Sequence, residues 1–167
     1  MEDIENFVNN IAHSTLGNAW NRLTYIDNRY MTLPIQDGFN WTESFTDFTS
    51  GEWYLVVFRS RYRADTDYQT LTERDERAHA EARQSAGFLY YFMGTPDEDG
   101  HCLSFCLWEN QHMAQLASRR PKHQEALQLV ASAYEYYHLE RYFVTKTTAP
   151  DGSGLDFERL PIRSDHL

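Results

Sequence analysis

The clearest pattern of hydrophobic and polar positions is a two-residue alternation in residues 52–63, which predicts a strand. One face would carry Trp53, Leu55 and Val57, and the other Tyr54, Val56 and Phe58. Residues 103–108 alternate in the same way and also offer apolar groups to both faces. Strands of this kind lie in sheets that are covered on both sides, so each face of the predicted sheet needs a covering layer.

Helical signals surround these strands. Residues 67–85 contain strong helix formers and predict a helix with an inward stripe, on which Asp75 is the unexpected charged member. The stripe consists of Leu71, Asp75, Ala78 and Ala82, with His79 at its edge. A second helical region follows residue 108 and breaks at Pro121. Its own stripe runs through Ala126, Leu129, Val130, Ala133 and Tyr137.

The remaining strands complete a recognisable order. Phe88–Met93 and Cys102–Trp108 predict a hairpin closed by a loop rich in Pro, Asp and Gly, and residues 139–145 predict the last strand. From residue 51 the order is β, α, β, β, α, β, which is the split βαβ arrangement of a ferredoxin-like α+β domain with an antiparallel sheet. Such a sheet has helices on one face, so we expect either a homodimer or the N-terminal extension to cover the other face.

Three segments follow from this order: an N-terminal extension (1–50), the α+β domain (51–146) and a tail (147–167). The extension begins with an amphipathic helix through Ile4, Phe7, Val8 and Ile11, continues through an extended or edge segment at residues 23–32, and ends in an aromatic loop at 37–51. The tail is rich in Pro, Gly and Asp and is predicted to be loose, although Leu155, Phe157 and Leu160 offer apolar groups for docking.

Composition and charge exclude several classes of protein. The chain has 167 residues and a formal net charge of −10 without a basic stripe, so nucleic acid is excluded as a partner. No basic leader precedes an apolar run and no run has membrane-spanning length, so we expect no membrane association and a cytoplasmic location. Cys102 and Cys106 lie about 13 Å apart along one predicted strand and are expected to be reduced.

No motif calls for a cofactor. A Gly-rich phosphate loop, a nucleophile elbow and a dinucleotide fingerprint are all missing from the sequence, so no nucleotide cofactor is expected. His101, His112 and His138 have no metal-ligand spacing, and we predict no metal.

From roughly Trp53 to Val144 the chain resembles the dimeric α+β barrel superfamily, which includes antibiotic-biosynthesis monooxygenases, stress-responsive barrel proteins and olivetolic acid cyclase. Residues 103–144 also resemble an uncharacterised family of mostly fungal proteins. The residues that carry this narrower resemblance are Trp108, Ala114, Pro121, His123, Ala126, Tyr134, Leu139, Glu140, Arg141 and Tyr142. The superfamily resemblance implies a ferredoxin-like fold, a homodimer and small-molecule chemistry without a cofactor.

Pro121-Lys122-His123 matches the Pro-x-His of the cyclase, whose histidine assists an aldol cyclisation together with a tyrosine. This chain has Ala117 at the tyrosine position, so the pair does not carry over. His123 is nevertheless a candidate general base, because an imidazole titrates near neutral pH. The alternative is a histidine at the start of a helix that binds only its own backbone.

A second candidate base comes from the helix at 67–85. Asp75 and His79 are four residues apart and would share one face, so the carboxylate could orient the imidazole. The alternative, which a highly charged helix favours, is an ordinary surface pair. A tyrosine such as Tyr91 could polarise a substrate carbonyl, while most tyrosines are expected to pack.

These residues favour a small enzyme without a cofactor that transfers protons on a hydrophobic, polyketide-like or aromatic metabolite. The reaction would be a cyclisation, dehydration or isomerisation in secondary metabolism. Candidate binding residues are Trp53, Tyr54, Phe58, Phe105, Trp108 and Tyr134. Two alternatives stay open: oxygenation without a metal, and a binding or stress-related protein with no turnover.

Overall fold

The structure is a computed structural model that describes residues 19–149 and 154–161. The predicted first helix through Ile4 and Ile11 lies outside the described residues. The chain divides into two compact units, one formed by Met1–Gly51 with Thr145–Leu155 and the other by Glu52–Val144 with Asp156–Leu167. The predicted division at residues 50 and 146 stays a prediction.

The first unit is held together by aromatic rings. Two short helices, α1 (Ile35–Gly38) and α2 (Trp41–Ser44), bring Trp41 and Phe45 into its core. Phe45 and Phe48 both pack on Trp20, and Trp41 Nε1 donates a 2.7 Å hydrogen bond to the Ile35 carbonyl. The aromatic residues of 37–51 therefore pin this segment, as the sequence predicts. Residues 23–32 form turns instead of a strand, apart from one bridge between Tyr25 and Phe39.

One five-stranded sheet contains all the strands of the described residues, in the order β2-β3-β1-β4-β5. The strands are β1 (Gly51–Tyr62), β2 (Phe88–Phe92), β3 (His101–Trp108), β4 (Tyr134–Lys146) and β5 (Leu155–Arg159). β1 and β2 both pair antiparallel with β3, and the order of the first four strands is that of a ferredoxin-like domain. The predicted α+β, ferredoxin-like fold is confirmed.

Four helices connect the strands. α3 (Tyr68–Arg83) joins β1 to β2 and begins at Asp67, whose carboxylate accepts a hydrogen bond from the Thr70 backbone amide. Between β3 and β4 the chain forms α4 (Gln111–Ser118), α5 (Pro121–Leu127) and α6 (Val130–Ala133). Pro121 occupies the first turn of α5, where its missing amide costs nothing, so the predicted break is a helix start.

Two strand boundaries differ from the sequence-based prediction. β4 begins at Tyr134, whereas the sequence predicts a helical stripe that continues to Tyr137 and a strand only from residue 139. The prediction of a loose tail is wrong for Leu155–Arg159, which forms β5 at the edge of the sheet beside β4. Leu160 continues that contact by donating its backbone amide to the Arg141 carbonyl at 2.8 Å.

The sheet face that points away from the helices carries a row of buried apolar side chains. Leu55, Val57, Leu103, Phe105 and Leu107 each have 0% of their surface exposed. The sequence analysis expects either a homodimer or the N-terminal extension to cover this face, and both expectations stay open. A homodimer is therefore carried forward only as a proposal.

Candidate active site

A cavity of about 510 Å³ lies within the second unit, between the sheet and helices α3 to α6. This volume falls in the range of pockets that bind metabolites and drug-sized ligands. Its floor is the sheet face made by alternate residues of β1 and β3, and its walls come from the helices. The floor residues are Tyr54, Val56, Phe58, Ser60, Tyr62, Cys102, Ser104, Cys106 and Trp108.

Side chains alternate between the two faces of a strand, so only some of the predicted binding residues reach this cavity. Tyr54, Phe58, Trp108 and Tyr134 line it. Trp53 and Phe105 do not line it, and their assignment as substrate-binding residues stays a prediction. Successive strand residues point to opposite faces, so neither can share the cavity with its neighbours Tyr54 and Cys106. Aromatic character alone does not distinguish the two faces of a strand, so the predicted set contains residues from both.

Asp75 and Tyr91 meet in the wall of the cavity. The Tyr91 hydroxyl donates a 3.4 Å hydrogen bond to Asp75 Oδ2, and no cation pairs with this carboxylate within residues 19–149 and 154–161. Burial raises the pKa of Asp75, and the Tyr91 hydrogen bond only partly opposes that shift. Asp75 is thus a partly buried carboxyl group with increased basicity, as a general base requires.

His79 lies beside this pair without bonding to Asp75. Its ring packs on the Tyr91 ring at a centroid distance of 4.4 Å, and its Nε2 atom accepts a 3.1 Å hydrogen bond from Arg83 Nε. Burial and the Arg83 charge lower the pKa of His79, so the imidazole is neutral near pH 7 with its proton on Nδ1. Within the described residues no hydrogen bond joins Asp75 to His79, and the orientation of His79 by Asp75 stays a prediction.

Further phenols surround Asp75. Tyr62 and Tyr134 pack with ring centroids 4.9 Å apart, and Tyr137 lies 5.2 Å from Tyr134. Burial raises the pKa of all three hydroxyls, and the Asp75 charge adds to the shift, so they stay protonated at neutral pH. The Asp75 end of the cavity is therefore rich in hydroxyl donors inside an aromatic wall.

His123 lines another wall of the same cavity, at the start of α5. Glu81 Oε2 accepts hydrogen bonds from the backbone amides of Lys122 and His123, at 3.0 and 3.3 Å, and fixes this helix start against α3. Burial lowers the pKa of His123 although the Glu81 charge opposes it, so the ring is neutral and able to accept a proton at pH 7.

The two cysteines lie on the floor of the cavity as free thiols, as predicted. Trp108 Nε1 donates a 3.0 Å hydrogen bond to Cys106 Sγ. Burial raises the pKa of Cys102 to about 11 and that of Cys106 to about 12. Both therefore stay protonated at neutral pH and are poor nucleophiles.

Arg141 is a cavity residue that the sequence analysis noted only for its family resemblance. It lies on β4, and its partly buried side chain lines the cavity. One signal could have identified it: with Tyr137 and Leu139 it follows the two-residue period of β4, so it is a charged residue in an otherwise apolar row.

The part of the chain that the structure describes holds no group of three or more His, Cys, Asp or Glu side chains suited to a metal ion. Over the same residues, no helix is long and apolar enough to cross a bilayer.

Comparison with known proteins gives both a sequence family and a fold. The family model described as PB2B2.08-like matches residues 3–158. UPF0643 protein PB2B2.08 of Schizosaccharomyces pombe is 33% identical over 95 residues, a match that covers 53% of this chain and 43% of that protein. The match thus spans less than half of the yeast protein. It agrees with the resemblance to a mostly fungal family that residues 103–144 suggest.

Solved structures of similar fold match about half of this chain. Protein SO0527 from Shewanella oneidensis matches with a TM-score of 0.50 at 14% identity, over 56% of this chain and 92% of that chain. SnoaB from Streptomyces nogalater, a cofactor-independent oxygenase, matches with a TM-score of 0.45 at 12% identity, over 55% of this chain and 90% of that chain. At such identities the likeness concerns the fold alone.

Proposed function

This chain belongs to the PB2B2.08-like family, and we propose that it is an enzyme that uses its cavity to transfer protons on a small apolar metabolite without a cofactor. The substrate class is a flat aromatic or polyketide-like carbonyl compound, and the reaction is a cyclisation, dehydration or isomerisation. The observation that carries the proposal is the Asp75–Tyr91 hydrogen bond in the wall of a 510 Å³ cavity with an aromatic lining.

Asp75 is the proposed general base. Its carboxylate removes an acidic proton from the carbon next to the substrate carbonyl, and the electron pair of that C–H bond forms the enolate. Burial and the lack of a paired cation support this role, because both make the carboxylate a stronger base than one in water. Tyr91 already donates to Asp75 and becomes free to donate to the enolate oxygen as the carboxylate takes up the proton.

His123 is the proposed second proton-transfer group. It lines the same cavity and is neutral near pH 7, so it can accept a proton from one substrate atom and return it to another. His79 has a positioning role in this scheme: its ring packs on Tyr91, and Arg83 holds it in place.

The proposal can be tested without knowledge of the natural substrate. 2-Tetralone is a bicyclic ketone with acidic protons next to its carbonyl, and proton NMR in D₂O follows their exchange for deuterium. The protein should accelerate this exchange, and Asp75→Asn should reduce the acceleration by about 10²-fold, the lower range for loss of a general base. Asp65→Asn is the matched control, because the Asp65 side chain is 90% exposed.

Two further variants test the separate roles of Tyr91 and His123. Tyr91→Phe should slow exchange by about 10-fold or more through loss of one hydroxyl donor. His123→Ala should spare the fold and reduce exchange less than Asp75→Asn does. A larger loss with His123→Ala than with Asp75→Asn would give the role of base to His123. Binding of 2-tetralone without faster exchange would instead support a ligand-binding protein with no proton transfer.

A homodimer remains part of the proposal, on the basis of the superfamily resemblance. Native mass spectrometry of the full chain at micromolar concentration tests this: twice the chain mass of 19.7 kDa supports the dimer, and a single mass at all concentrations contradicts it.

A further inference from the structure

Arg141 lines the cavity, and no acidic side chain in the described part of the protein pairs with it. No hydrogen bond or ion pair joins its side chain to another group within residues 19–149 and 154–161. Its sequence neighbour Glu140 behaves differently. Glu140 Oε1 pairs with Arg59 Nε at 3.0 Å and with an Arg159 amino group at 3.5 Å. Glu140 thus neutralises Arg59 and Arg159, whereas no acidic side chain of the described residues neutralises Arg141 on the cavity side.

The cavity therefore contains two opposite charges that do not pair with each other. Asp75 is the one carboxylate among the lining residues, and it bonds to Tyr91. Tyr91 lies on β2 and Arg141 on β4, and β3 and β1 separate these strands in the sheet. Three strand spacings amount to about 14 Å between the two backbones, so the two charged groups approach the cavity from opposite sides.

A partly buried guanidinium in an apolar wall has lost hydration that nothing in the described chain replaces. An oxyanion of the ligand would replace it with charge-assisted hydrogen bonds, and a planar carboxylate fits the guanidinium fork best. We propose that Arg141 binds a carboxylate of the ligand, so that the substrate class is a flat apolar ring compound carrying a carboxylic acid. This inference rests on the proposed function, because it concerns the same cavity.

The arrangement also orients the substrate. With its carboxylate on Arg141 at the β4 side, the ring system extends across the aromatic floor towards Asp75 and Tyr91. The acid group thus lies at the end remote from the reacting carbon. Binding energy from this remote group would then position the acidic C–H bond against Asp75.

The net negative charge of the chain allows a test that compares an anionic ligand with a neutral one of the same shape. At a net charge of −10 the protein repels anions in general, so a preference for an anionic ligand over its neutral isostere requires a local cation. 2-Naphthoate and 2-naphthamide are such a pair, since they share one shape and differ in charge. Each is titrated against the full chain loaded with N-phenyl-1-naphthylamine, a neutral dye that fluoresces in apolar sites.

We expect 2-naphthoate to displace the dye at lower concentration than 2-naphthamide. Arg141→Gln should weaken naphthoate by about 10-fold, which corresponds to about 1.4 kcal/mol, and leave naphthamide unchanged. Arg141→Lys should keep part of the preference, because it keeps the charge but loses the fork. Arg119→Gln is the control: Arg119 is exposed outside the cavity, and its loss changes the net charge by the same amount.

The outcomes separate this inference from the proposed function. If both naphthalenes displace the dye but Arg141→Gln leaves their ratio unchanged, or changes it no more than Arg119→Gln does, the role of Arg141 is overturned and the cavity remains the binding site. If neither compound displaces the dye at any soluble concentration, the dye occupies a site other than the one proposed for flat ring compounds, and both proposals fail. Circular dichroism of each variant confirms that the fold is intact.

Discussion

The Tyr91 hydroxyl donates a 3.4 Å hydrogen bond to Asp75 Oδ2, and this bond is the main support of a carboxylate that burial makes costly to ionise. A phenol stabilises a buried negative charge less than an ion pair does, so the fold loses stability when Asp75 is charged. This is the common conflict at catalytic groups, where the environment that tunes reactivity also weakens the fold.

Asp75→Asn should therefore stabilise the protein at neutral pH. The pKa of Asp75 is raised above its ordinary value of 3.8, so its favourable contribution is complete below that pH and is lost as the pH rises through the folded-state pKa. We expect Tm to rise at pH 7 by roughly 2–4 °C, the shift that about 1 kcal/mol produces in a chain of this size. The gain should shrink towards pH 4.

Calorimetry at both pH values measures this effect. Asp65→Asn, at an exposed position, should leave Tm almost unchanged. A fall in Tm for Asp75→Asn at pH 7 would mean that the carboxylate has a favourable partner after all, and its role as base would lose its physical reason.

Glu140→Gln should destabilise the fold by about 1–3 kcal/mol. Its carboxylate bridges Arg59 of β1 and Arg159 of β5, and Tyr142 donates to it at 2.8 Å. Removal of the charge leaves the Arg59 guanidinium with little solvent around it, since its side chain is only 16% exposed, whereas the Arg159 side chain is 57% exposed and stays hydrated. Urea unfolding measures the loss.

Glu135→Gln on the same strand provides the control for Glu140. Glu135 pairs with Arg61 at 3.0 Å, but both side chains are 40% or more exposed, so the change should cost less than about 0.5 kcal/mol. Equal effects of the two variants would show that the Glu140 bridge contributes no more than a surface pair.

Asn110→Ala should cost about 1 kcal/mol, because Asn110 caps α4 by accepting a 3.0 Å hydrogen bond from the Met113 amide. Asn110→Asp should restore most of that stability, since Asp caps equally well. α4 supplies several cavity residues, so the dye affinity should fall in Asn110→Ala along with stability. Loss of stability in Asn110→Asp as large as in Asn110→Ala would argue against the capping explanation.

The two cysteines should react slowly with Ellman's reagent in the native protein. Burial raises the pKa of Cys102 to about 11 and that of Cys106 to about 12, so little thiolate exists at pH 8. In guanidinium chloride both thiols should react within minutes. Fast reaction of the folded protein would indicate that the floor of the cavity opens to solvent.

Local signals in the sequence were enough for the central part of the fold. β1, α3 and β3 begin within about one residue of their predicted starts, because alternation, an N-cap aspartate and a Pro- and Gly-rich loop each act over a few residues. Asp75 was identifiable for the same reason, as a charged residue on an apolar helical stripe.

Other features depended on contacts that no short window contains. Residues 126–137 have helical spacing, yet the chain becomes extended at Tyr134, where aromatic residues pair into the sheet and override the period. β5 exists because β4 offers it an edge, and its own segment carries only weak strand signals. The Asp75–Tyr91 contact and the isolation of Arg141 likewise depend on strand order and packing in three dimensions.

Because side chains alternate along β1, the two faces of this strand have different roles. On one face, Leu55 and Val57 are fully buried in the core; on the other, Tyr54 and Phe58 line the cavity, and Tyr54 also belongs to a buried cluster with Trp108. Substitutions on the cavity face would thus change the shape of the ligand site, whereas substitutions at Leu55 and Val57 would change only the packing of the core. A mutant library at the partly exposed Phe58 would sample new specificities at a lower cost in stability than one at Tyr54, which is 3% exposed.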